Sequence, residues 1–89
     1  MHLETTVHIW KEGDLYVAHA MPLDVMSSGS TPDSARGALD EAIRAFLLTA
    51  ADAGTLEQVL EDCGYQHRGD QWVSPDFVSL ERHELALAV

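Results

Sequence analysis

Between Leu3 and Trp10 the chain changes character at every step. Thr5, Val7 and Ile9 fall on one side, and Glu4, Thr6, His8 and Trp10 on the other. Period two with β-branched residues predicts a strand. Lys11-Glu12-Gly13-Asp14 is turn chemistry, and Leu15 to Met21 reads as a second strand, so the two form a β-hairpin. Two registers are open. A three-residue loop, Glu12 to Asp14, puts Val7 and Ile9 on one face with Leu15, Val17 and His19, and pairs Trp10 with Tyr16 on the other. A two-residue Gly13-Asp14 loop reshuffles those faces and sets His8 opposite His19. Pro22 has no amide donor and ends the second strand or sits at an edge, after which Val25 to Ser28 suits a short third strand.

At Gly29 the period changes. Gly29 suits a turn, Thr31 caps a helix, and Pro32 fills the first helical position. Ala35, Ala38, Leu39, Ala42, Ile43, Phe46, Leu47 and Ala50 then recur at three- and four-residue steps, on one helical face. Asp33, Arg36, Asp40, Glu41 and Arg44 occupy the other, with Arg36/Asp40 and Asp40/Arg44 each four apart. Gly54 closes the helix, and Thr55 with Gln58 reads as a capping box for a shorter helix whose stripe is Leu56, Val59, Leu60 and Cys63. Gln66 to Gln71 reads as a loop. Trp72 and Val73, then Phe77 to Leu87, return to extended character, and the end of the chain is read as a strand, with a helix as the alternative for its alanine-rich last residues. The expected fold is α+β, a small β-β-β-α-(α)-β domain over residues 1–89, with the main helix packed on one face of an antiparallel sheet.

Charge and size narrow the function. Fifteen acidic residues against five Lys and Arg give a formal charge of -10 in 89 residues, spread as -3 over residues 1–30, -5 over 31–64 and -2 over 65–89. Nucleic-acid phosphates are held by clustered cations, so this balance argues against direct nucleic-acid binding by the chain. It suits solubility, or a basic partner. A core of this size is marginal, and homo-oligomerisation is expected on that ground. The single cysteine, Cys63, excludes an intrachain disulfide and is expected to be a small core residue; with no basic start or apolar run at the N-terminus, a cytoplasmic protein without a targeting signal or membrane span is expected.

In combination, Gly13-Asp14-Leu15-Tyr16-Val17-Ala18, then Pro22-Leu23, then Gly29-Ser30-Thr31 opening a helix with Ala35, Ala38 and Ala42, resemble the HicB family of antitoxins over roughly residues 5–60. The family fold is β-β-β-α-β, in agreement with the reading from periodicity. The resemblance implies a non-enzymatic antitoxin that covers the active site of a small, basic, RNA-cleaving HicA-type toxin. Two departures are visible. Asp24-Val25 stands where the family has a glycine after Pro-Leu, and the residues after Tyr65 are too few for the helix-turn-helix or ribbon-helix-helix domain of many members.

Partner binding is expected at Trp10 and Tyr16, flanked by Glu12, Asp14 and Asp24, because an aromatic pair on the sheet face away from the helix is exposed unless something covers it. The alternative is that the chain's own C-terminal segment covers them. Leu48, off the main helical stripe, and Leu80, Leu85 and Leu87 in the last extended segment are the candidate oligomer interface. No cofactor is expected. The histidines His2, His8, His19, His67 and His83 lack metal-ligand spacing. The rival readings are an orphan RNA-binding or oligomeric scaffold protein of the same fold, and a carboxylate-dependent nuclease built on Asp24, Asp40 and Glu41.

Overall fold

The computed structural model covers residues 1–89 and is α+β, with two small sheets, a long helix and a short one. In chain order the elements are β1 (His2–Leu3), β2 (Thr6–Glu12), β3 (Leu15–Met21), β4 (Val25–Gly29), α1 (Pro32–Asp52), α2 (Leu56–Asp62), β5 (Gln66–Arg68) and β6 (Gln71–Val73). Strands β2, β3 and β4 form an antiparallel meander in that order, and β1, β6 and β5 form a second sheet in which β1 runs parallel to β6. No helix is long and apolar enough to cross a membrane.

The two-residue loop is the one that forms. Glu12 pairs with Leu15, so Trp10 stands opposite Val17 and His8 opposite His19. The aromatic pair that a longer loop would make, Trp10 with Tyr16, does not exist. Tyr16 instead pairs with Lys11 and shares the helix side of the sheet with Ile9, Ala18 and Ala20. Gly13 at φ 58 supplies the left-handed residue that so tight a turn needs.

α1 packs on that side at close range because the facing residues are small. Ala18, Ala20 and Ala35 are fully buried, together with Leu39, and Ile43 continues the contact along the helix. Gly29 completes it. Its φ is not left-handed; what it provides is space, since a Cβ there would lie 2.6 Å from the Ala35 amide nitrogen and 2.3 Å from Ser34 Oγ. Immediately after it the cap forms as the sequence predicts at Thr31. The Ser34 amide donates to Thr31 Oγ1 at 3.0 Å, and the Thr31 amide donates to Ser34 Oγ at 2.9 Å, an arrangement worth about 1 kcal/mol.

Several expectations are corrected. The run Leu3–Trp10 is two strands, because Thr5 turns aside to donate from Oγ1 to the Met21 carbonyl at 2.9 Å, and Leu3 joins the other sheet. Gln66 to Gln71 is a hairpin, turned at Gly69. Phe77–Leu87 is not a strand: residues 74–89 have no regular structure and no backbone hydrogen bond within the chain, since no strand edge of their own copy receives them. Thr55 makes no capping box; its hydroxyl donates to the Ala50 carbonyl and Gln58 bonds Asp62. Arg36 pairs with Asp33 at 2.6 Å rather than with Asp40. Phe46 belongs to the apolar stripe by spacing but is 37% exposed, at the rim of the cleft between α1 and α2.

The small second sheet closes the chain on itself. The His2 amide donates to the Asp70 carbonyl at 3.0 Å and the Glu4 amide to the Trp72 carbonyl at 3.1 Å, so the N-terminus is bonded to the last strand. Trp72 and Tyr65 are buried beneath it, and the Tyr65 hydroxyl donates to the Glu4 carbonyl. Only ten of the 89 residues are buried, so single contacts weigh heavily.

Gly29→Ala is therefore expected to cost about 1–3 kcal/mol, read from urea unfolding, because helix and strand must separate to admit one methyl group. Burial raises the Tyr65 phenol above its ordinary value. The unfolded chain therefore loses this proton first, and the stabilisation it represents is complete below the ordinary tyrosine range and is lost as pH rises through the folded value. Alkaline unfolding curves should show this loss, and Tyr65→Phe should flatten it; an unchanged alkaline limb would contradict the assignment.

Candidate partner-binding face

The face of the β2–β4 sheet turned away from α1 carries Thr6, His8, Trp10 and Glu12 from β2, Leu15, Val17, His19 and Met21 from β3, and Met26 and Ser28 from β4. Strict alternation along each strand and the pairing register put them there. No helix covers this face. It holds no Lys or Arg, and Lys11, the one cation of the hairpin, lies on the opposite side with its ammonium 5.9 Å from the centre of the Tyr16 ring.

Three rings form its centre. His8 stacks on Trp10 with centroids 4.9 Å apart and planes inclined by 25°, and His19 meets both edge-on, at 5.0 Å from His8 and 6.2 Å from Trp10. Each such contact adds roughly 0.5–1.5 kcal/mol beyond the area it buries. Both ends of the cluster are pinned by carboxylates. Trp10 Nε1 donates to Glu12 Oε1 at 3.0 Å, and His19 Nε2 lies 2.6 Å from Asp24 Oδ1. Asp24 reaches that position from a backbone at φ 61, a conformation that Asp tolerates better than most residues.

The C-terminal segment forms a second wall. A groove of about 560 Å³ runs between Thr6, His8, His19 and Met21 on the sheet and Phe77, Val78, Ser79 and Leu80 on the segment. A shallower depression beside it is lined by Trp10, Glu12, Val17, Met26, Ser27 and Ser28.

Of the residues singled out in the sequence, Trp10, Glu12 and Asp24 share this face or its rim, and Asp14 is exposed in the adjoining turn. Tyr16 is on the other side of the sheet, packed against the core. The four leucines do not form one patch: Leu80 lines the groove just described, Leu48 lines a groove between β1 and α1, and Leu85 and Leu87 stand out from the tail, 76% and 77% exposed. His8, His19, Met21 and Met26 were not singled out, and the signal for them was the two-residue reading of Gly13-Asp14.

Asp24, Asp40 and Glu41 are not brought together. Asp24 is bonded to His19 on the open face, whereas Asp40 lines the groove beside β1 with Arg44, and no three His, Cys, Asp or Glu side chains stand in an arrangement that would hold a metal ion. Cys63 is half-buried, and burial with the neighbouring Asp62 pushes its thiol up, away from the reactive thiolate. No family model, curated protein or solved structure matches the chain.

The register sets which substitution probes binding and which probes folding. Trp10→Ala is expected to cost about 1–3 kcal/mol, the scale of its two ring contacts. Tyr16→Ala should cost more, about 3 kcal/mol or above, by emptying part of the core. Thermal melts of the two variants decide it, and equal losses would contradict the assignment of faces.

Proposed function

We propose that the chain is a HicB-like, non-enzymatic antitoxin module whose open sheet face binds and occludes a small, basic, RNA-cleaving toxin of HicA type. The observation that carries this reading is the character of that face: an aromatic cluster that no helix covers, walled on one side by Phe77–Leu80, free of Lys and Arg, with carboxylates at both ends of the meander. Glu12 and Asp14 stand at the β2–β3 turn and Asp24 at the β3–β4 turn. A surface that holds RNA phosphate is cationic, and this face is opposite to it in sign, around an apolar centre. The charge of -10 acts at longer range and steers a cationic partner during approach.

Affinity needs buried anchors as well as charge, and Trp10 with His8 supplies them. Tyr16 is withdrawn from that role by its place in the core. The sequence resemblance from Gly13 to Ala42 supports the same reading. A cytoplasmic setting and a homo-oligomeric state belong to it too. The small core favours self-association.

The test is to co-express the chain with the product of a short, basic reading frame adjoining its gene. Rescue of growth is expected when the product is toxic alone, and Trp10→Ala should weaken that rescue while the domain stays folded. Undiminished toxicity in the presence of the intact chain would reject the antitoxin reading. Incubation with labelled RNA and magnesium or manganese separates the rivals: cleavage lost in Asp24→Asn or Asp40→Asn would favour a nuclease, and tight salt-sensitive binding an RNA-binding domain.

A further inference from the structure

Away from the open face, one copy of the chain leaves two apolar features without partners. The first is a groove of about 470 Å³ between β1 and α1, where Leu3, Ile43 and Leu47 meet Met1 and Leu48, which are 63% and 66% exposed. β1 is hydrogen-bonded on one side only, to β6, so a strand edge is open beside an apolar groove. The second feature is the end of the tail. Leu85, Leu87 and Val89 alternate with Ala86 and Ala88 and are largely or fully exposed, on a segment whose backbone bonds to nothing in its own copy.

An edge without a strand and a strand without an edge are complementary. Added to a sheet edge, an extended segment gains main-chain hydrogen bonds while its alternate side chains enter pockets. We propose that Leu85–Val89 of one copy adds to the free edge of β1 in a second copy and sets Leu85, Leu87 and Val89 into the Leu48 groove, each copy giving and receiving one tail.

Charge favours this contact over others between copies. Two molecules of charge -10 repel across most of their surfaces, whereas Leu85–Val89 carries no charged side chain. Asp40 and Arg44 both line the groove, so it is near neutral; Arg44 has no ion-pair partner there, and Glu84 immediately precedes the segment. The other open edges serve less well. β2 is guarded by Lys11 and Glu12, and β4 offers Met26 as its one large exposed apolar side chain.

This inference rests on the oligomeric part of the proposed function and is independent of the toxin. Light scattering on the full chain is expected to give twice the chain mass, and Leu48→Asp and Leu87→Asp should each raise the dimer dissociation constant at least tenfold with unchanged circular dichroism. Pairing is read by cross-linking in a Cys63→Ala background. Chains with Leu48→Cys mixed with chains with Leu87→Cys should form a disulfide-linked dimer faster than either alone. A monomer at high micromolar concentration overturns the proposal, as does a dimer indifferent to both aspartates. Ring closure within a doubly substituted chain, with no intermolecular product, also overturns it by placing the tail on its own copy. Failed growth rescue with an intact dimer rejects the antitoxin reading alone.

Discussion

The closeness of α1 to the β2–β4 sheet is the constraint on which the other features of the molecule depend. Alanines face one another where most small domains set leucine or isoleucine, and Gly29 lies so near the start of the helix that it has no room for a Cβ. Dispersion and hydrophobic gains per residue are modest for Ala, so this interface is stabilised by proximity and by a well-made cap rather than by large buried side chains. Leu39 and Leu60 are the largest side chains fully buried. The aromatic residues are spent elsewhere: Tyr65 and Trp72 are buried with the second sheet, and Trp10 is left on the open face.

Which residues of β3 face the helix follows from the turn at Gly13-Asp14. One residue more in the loop would have exchanged the faces of β3, burying Val17 and His19 and exposing Tyr16, Ala18 and Ala20. A buried His19 would need a partner within the core, whereas on the open face Asp24 is within reach from the next turn. Small Ala18 and Ala20 also suit the narrow space beneath the helix, which a Val-His pair would overfill. Local turn geometry and core volume therefore favour the same register, as expected when levels of structure agree.

Much of the fold was legible in the sequence for identifiable reasons. The Gly29-Ser30-Thr31-Pro32 start of α1, its apolar stripe and the Gly54 stop are local signals, and they appear where the spacing places them. The three strands of the meander are equally visible in alternation. What was not legible is non-local. His2–Leu3 is too short to show a period, and it becomes a strand only because β6, about 70 residues away, supplies the partner. The β5–β6 hairpin is equally short and polar, and its one strong residue, Trp72, reads the same in a loop or a strand. At the candidate site, Trp10, Glu12 and Asp24 were found by composition and position, but Tyr16 was misassigned because the face of a residue in a hairpin depends on the parity of the loop.

A thin core and a large acidic exterior leave few surfaces fit for stable contact. Wherever carboxylates are spread without counter-charge, as along Asp52, Glu57, Glu61 and Asp62, association with another copy is opposed and association with a cation is favoured. The open sheet face has aromatic groups inside an acidic rim, which suits a basic partner better than a second acidic copy. The tail from Leu85 onward carries no charged side chain, and the Leu48 groove is mainly apolar with one Asp and one Arg in its lining, which suits the reverse. The two surfaces lie on opposite sides of the meander and the tail joins them, with Phe77–Leu80 walling the open face and Leu85–Val89 following in the chain. The proposed self-association through the tail and the proposed partner capture on the sheet therefore use different surfaces, each of the kind its charge will accept.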